Sequence, residues 1–126
     1  MAKIRSKDTG PEMAVRRLVH SMGYRYRLHC KDLPGKPDLV FRSLKKVIFV
    51  NGCFWHRHHC KAGQAKPKNR AEYWTQKFDR NKKRDRQTIR RLRADGWEVL
   101  VVWECHIRNI RKLKCRLECF LEAPKL

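Results

Sequence analysis

Seven residues near the C-terminal end, Trp97-Glu98-Val99-Leu100-Val101-Val102-Trp103, constrain the fold more than any other stretch. They form a mostly apolar run just after Gly96, which reads as a strand at an interior position of a sheet. Such a strand needs neighbours, and the sequence offers three upstream. Tyr24-Arg25-Tyr26-Arg27-Leu28 alternates with period two, as a half-buried strand does. Residues 38–41 and 46–50 are short apolar strands joined by a polar turn at 42–45, which predicts an antiparallel pair.

Helices fill the intervals. Thr9-Gly10-Pro11-Glu12 reads as a capping box, opening a helix that carries Met13, Leu18, Val19 and Met22 on its apolar side and stops at Gly23. Asn69-Arg70-Ala71-Glu72 is a second such box. It opens a long, basic helix to near Gly96, with Tyr73, Trp74, Phe78, Ile89 and Leu92 as apolar anchors. A last helix from 107 to about 121 places Ile107, Ile110, Leu113, Leu117 and Phe120 at helical spacing. The order α-β-β-β-α-β-α predicts an α/β fold, a small mixed sheet flanked by helices. At 126 residues this is one domain over 1–126, with residues 1–8 as a short polar arm.

Lys and Arg number 32 against 12 Asp and Glu, a net charge of +20. So large an excess on a small chain points to a polyanion, nucleic acid above all, although solubility or ribosomal-type RNA packing would also use it. Nothing approaches the ~18 uninterrupted apolar residues of a membrane span, and no apolar segment follows the basic start, so the expected place is the cytoplasm. In that compartment six cysteines read as thiols or metal ligands rather than a disulfide framework.

Cys53, His58 and Cys60 crowd one short loop, and thiolate with imidazole suits tetrahedral zinc. Cys105, after the apolar strand, is the best fourth ligand and Cys30 the runner-up; buried thiols beside surface histidines are the plainer reading. Pro37-Asp38 at the start of a strand resembles the hairpin corner where metal-dependent nucleases keep a carboxylate. The acidic residue such nucleases often carry on the next strand is missing between Lys46 and Asn51. His56 has the chemistry of a general base, and Glu12, Asp79 or Asp85 could orient it. Phe54 and Trp55, adjacent aromatics in a basic loop, either wedge between base pairs or cover the loop's own core.

Five stretches, at 5–9, 33–38, 47–56, 81–85 and 96–105, together resemble the very-short-patch repair (Vsr-type) DNA mismatch endonucleases. They occur in that family's order and span nearly the whole chain. Gly52-Cys53-Phe54-Trp55-His56 with Trp103-Glu104-Cys105 downstream is the most specific part. The resemblance implies a restriction-endonuclease-like core with a structural zinc, and magnesium-dependent nicking of double-stranded DNA beside a T:G mismatch.

Matched by position, the resemblance implies that Asp38 and the main-chain carbonyl of Val50 hold Mg2+. His56 becomes the base, Asp85 its orienting partner and Glu12 an outer acidic residue. Cys53, His58, Cys60 and Cys105 become the Zn2+ ligands, Phe54 and Trp55 the wedge, and Trp74 a further aromatic on DNA. Val50 stands where the family commonly has Thr. Asn51 stands where well-known members have a histidine that assists at the scissile phosphate. The leading helix of the family is reduced to residues 1–7, where Met1 and Ile4 could still wedge into DNA. A monomer working beside other mismatch-repair proteins is expected. The rivals are a zinc-stapled DNA-binding protein without catalysis and a related nuclease of a restriction or mobile-element system.

Overall fold

The computed structural model describes residues 10–52 and 71–122. Within them, helix α1 (Gly10–Ser21) precedes strands β1 (Arg27–Leu28), β2 (Leu39–Phe41) and β3 (Lys46–Asn51). Helix α2 (Ala71–Ala94), strand β4 (Glu98–Trp103), a 3-10 turn (Glu104–Arg108) and helix α3 (Ile110–Glu122) complete the order expected from the sequence. The strands form one mixed sheet in the order β1-β2-β3-β4. The first two pairings are antiparallel, and β3 pairs β4 in parallel after the α2 crossover.

Period-two alternation divides the sheet into two apolar faces. Leu39 and Phe41 of β2, Ile48 of β3 and Val102 of β4 pack with Val15 and Val19 of α1 and with Leu113, Leu117 and Leu121 of α3. On the other face Val40 and Val47 pack with Leu92 of α2, joined by Phe49 and Val99. Both faces are covered by helices. That coverage explains the apolar β4 run and corrects its expected place: β4 is an edge strand among the described residues, and its neighbour β3 is interior. A strand covered on both faces carries apolar residues throughout, whether or not a further strand pairs beside it.

Smaller differences have equally local causes. Tyr24 and Tyr26 are partly buried with Arg25 and Arg27 exposed, as the alternation requires, yet only Arg27 and Leu28 reach the ladder. Both tyrosines instead pack edge-on against Phe41. Gly23 and Gly96, both with left-handed φ (86° and 89°), end α1 and α2 as expected. Tyr73 and Ile110 are not core anchors, being 48% and 47% exposed. The last helix begins later than expected, because Asn109 caps it by accepting the Lys112 amide at 3.1 Å. Ile107 lies in the 3-10 turn ahead of that cap, and Leu121, one turn beyond Leu117, joins Leu113 and Leu117 in the core.

Lys46 is the unexpected tie between sheet and helix. Its side chain is 2% exposed, and its ammonium donates to the carbonyls of Phe120 and Leu121, the latter at 3.2 Å. Those carbonyls lie in the last turn of α3, where no amide of the helix follows to satisfy them and the helix dipole favours a cation. Glu98 lies 3.6 Å away on β4. Replacing Lys46 with Ala leaves buried carbonyls without a donor, so Lys46→Ala should lower stability by about 2–4 kcal/mol. Urea denaturation checks this, and an unchanged midpoint would refute it.

Candidate active site

One end of the β2–β3 hairpin opens into a cleft of ≈ 720 Å³ facing α2. Its walls include His29, Asp38, Val50, Asn51 and Asp85, together with the cations Lys31, Lys36 and Arg84. The turn before β2 sets one wall. Gly35 there has φ 74°, and a side-chain carbon at that position would overlap Thr88 of α2. Only glycine allows the turn to approach the helix so closely.

Asp38 sits one residue before β2, opposite the end of β3. Its Oδ2 accepts the main-chain amide of Val50 at 2.7 Å. Glu12 of α1, 2% exposed, reaches the same place from beneath. One of its oxygens accepts from Arg16 at 3.4 Å and lies 3.1 Å from Nε2 of His29. The His29 amide donates to the Asp38 carbonyl at 3.2 Å, while its Nδ1 stands 3.9 Å from Asp38 Oδ1. His29 takes a left-handed φ of 49°, a conformation that costs a non-glycine residue about 1–3 kcal/mol and is usually kept where function needs it.

Ligand atoms of Glu12, His29 and Asp38 all lie within 4.8 Å of one another. Burial pushes the Asp38 carboxyl up from 3.8 to about 6, and the charge of Glu12 adds to the rise; the Val50 amide and His29 oppose it. Two carboxylates brought together out of water are costly as anions unless a cation neutralises them. The site therefore fits a divalent cation, with Asp38 as an oxygen donor and Glu12 beside it as a second negative charge.

Of the residues expected from the sequence, Asp38, Val50, Asn51 and Asp85 line one cleft, although Asp85 comes from a helix 35 positions after Val50. Glu12 joins them through His29 and Asp38. Trp74 does not: it lies on α2 eleven residues before Asp85, about 16 Å along the helix, stacked on Phe78 with Lys77 over its ring. Cys105 is partly buried in the 3-10 turn after β4. Met1, Ile4, Cys53, Phe54, Trp55, His56, His58 and Cys60 lie outside the described residues. Sequence reasoning passed over His29, Lys31, Lys36 and Arg84. The signal for His29 was present, since pairing its strand with residues 38–41 puts the next residue beside Asp38.

The arrangement of sheet and helices has a counterpart among solved structures. The homing endonuclease I-Bth0305I catalytic domain shares it with a TM-score of 0.61 at 20% identity, covering 90% of this chain and 94% of that one. In sequence, the family described as DNA mismatch endonuclease Vsr matches residues 1–62. The type II nicking enzyme V.XorIIP of Xanthomonas oryzae pv. oryzae is 52% identical over 122 residues, 97% of this chain and 89% of that protein. The DNA mismatch endonuclease Vsr of Escherichia coli is 42% identical over 113 residues, 90% and 72% of the two chains. With such relatives across most of its length, the chain belongs to the Vsr family of endonucleases.

The raised Asp38 pKa predicts a pH-dependent stability. A carboxyl that holds its proton more tightly when folded gives full stability below 3.8 and loses it as pH rises to about 6. The loss amounts to about 3 kcal/mol in metal-free protein. Asp38→Asn removes it while an amide oxygen still accepts from Val50. In EDTA the variant should match the parent near pH 4 and exceed its stability by up to that amount at pH 7.5. Urea midpoints at the two pH values test this, and an equal gap at both would refute it.

Proposed function

We propose that the protein nicks one strand of double-stranded DNA beside a T:G mismatch, the lesion left when 5-methylcytosine deaminates to thymine. The observation that carries this reading is the meeting of Glu12, His29 and Asp38 at a cleft walled by Lys31, Lys36 and Arg84. Buried carboxylates suit a hard cation, and cationic walls suit phosphates on either side of it. Magnesium is the cation we assign, held by Asp38 and the Val50 carbonyl. When bound, it polarises the scissile phosphate and stabilises the leaving oxygen.

The chain's own residues do the rest. Asp85 orients His56, whose imidazole takes the proton of the attacking water. Glu12 sets the outer shell of the carboxylate site, and Asn51 faces the scissile group where relatives carry histidine. Phe54 and Trp55 wedge beside the mismatch, where a wobble pair costs less to open than a matched one. Met1, Ile4 and Trp74 add contacts to the duplex. Cys53, His58, Cys60 and Cys105 hold a structural Zn2+ that staples the loop carrying the wedge. The whole chain acts as a single restriction-endonuclease-like domain, a cytoplasmic monomer beside other mismatch-repair proteins. Among the described residues no helix is long and apolar enough to cross a membrane.

A second reading has its own support, since the 52% identical relative is named a type II nicking enzyme. The same chemistry would then serve a restriction system. End-labelled T:G, other mismatched and fully matched duplexes, incubated with Mg2+ or EDTA, decide between these readings. Nicking confined to T:G and dependent on Mg2+ is expected; equal cleavage of matched DNA would remove the mismatch assignment. Asp38→Ala should reduce nicking about 10³-fold or more through loss of the metal, with zinc content and DNA binding retained.

A further inference from the structure

His29 is the residue of the site with no part in the reaction just described, yet it touches both carboxylates. It follows β1 directly, so the sheet places its backbone. Its amide adds a rung beyond the β1–β2 ladder by donating to the Asp38 carbonyl at 3.2 Å. Its left-handed φ of 49° turns the imidazole back toward α1, where Nε2 meets Glu12 at 3.1 Å. Arg16 also holds Glu12, but from its own helix, which cannot fix Glu12 relative to the sheet. The imidazole spans from the sheet, beside Asp38, to the helix that carries Glu12.

The same ring leaves Asp38 available. With Nε2–H given to Glu12, Nδ1 faces Asp38 Oδ1 at 3.9 Å, beyond hydrogen-bond range. Oδ2 is the Asp38 oxygen that accepts the Val50 amide. An imidazole at this point orders the second carboxylate without occupying the first.

We propose that His29 is a positioning residue of the cation site, tying Glu12 to the sheet so that it stands beside Asp38 before the cation arrives. This rests on the reading that those carboxylates serve a divalent cation. Outer-shell groups of a metal site typically contribute about 10–100-fold to metal affinity, and His29 orders the one that Glu12 supplies. His29 is therefore expected to set affinity for the cation rather than take part in proton transfer.

The test uses Mn2+ as probe, the full chain without DNA, and electron paramagnetic resonance of unbound Mn2+. His29→Asn is the informative variant. Asparagine tolerates left-handed φ well, so the turn survives, but its amide is too short to reach Glu12. His29→Gln places an N–H donor near the position of Nε2. His29→Asn should bind Mn2+ about 10-fold or more weakly, and His29→Gln should recover most of that loss. In nicking assays the metal concentration for half-maximal rate should shift in step, with the rate at saturating metal little changed.

Unaltered Mn2+ affinity in His29→Asn would overturn the proposal and leave His29 a structural residue, as would His29→Gln binding no better than His29→Asn. Imidazole nitrogen coupling to Mn2+ in spin-echo spectra that vanishes in both variants would make His29 a direct ligand, which also overturns it. If the unaltered protein and Asp38→Ala both fail to bind Mn2+, the cation reading fails and the proposal with it. Failure of nicking while Mn2+ binding follows the expected order leaves His29 as proposed and strikes only at the reaction.

Discussion

The antiparallel register between β2 and β3, with Leu39 opposite Ile48 and Phe41 opposite Lys46, is the constraint on which the structure depends. Strand side chains alternate faces, so a slip by one residue would turn every one of them over. Lys46 would leave the end of α3, and Asp38 would lose the Val50 amide. The register is held by what it buries, because Ile48 and Val47 fill opposite cores, each covered by helices. The hairpin is therefore both the middle of the fold and the platform of the site.

Placing polar groups against that apolar platform has consequences. Lys46 is tolerated because it closes the end of a helix that lacks amide donors of its own. Glu12 is tolerated because Arg16 and His29 both address its carboxylate. Asp38 is the least reconciled of the three, its burial pushing its pKa up to about 6. A partly dry carboxylate beside a buried one is poor design for stability alone. It is sound design for a site that a cation completes, and such tension is typical of functional sites.

Much of this was legible in the chain. The period-two and period-3.6 patterns locate the four strands and three helices of the described residues, because alternation and helical spacing report which side chains face a core. Pro37-Asp38 is visible as a candidate because it opens an apolar strand at a hairpin corner, although turn aspartates are common. Where reading failed, the cause was tertiary. Tyr73 and Ile110 sit at helical spacing but in the first turns of their helices, where each stays about half exposed. The β4 run is apolar because helices cover both its faces, and composition cannot separate that from a strand with two neighbours. Lys46 reads as an ordinary strand-end lysine until α3 is placed against it.

The sequence by itself determined the order of elements, the likeness to Vsr-type endonucleases, the basic character of the surface and the residue types available for chemistry. These follow from local periodicity, charge and motif, which need no knowledge of distant neighbours. Tertiary structure alone decided that Glu12 of α1 and His29 beyond β1 meet Asp38, and that Asp85 of α2 lines the same cleft. It also decided how far Asp38 is removed from water. Residues up to 73 positions apart, Glu12 and Asp85, are brought to one place by sheet pairing and helix packing. Only that convergence, with the loss of water it entails, turns a turn aspartate and a neighbouring histidine into a site.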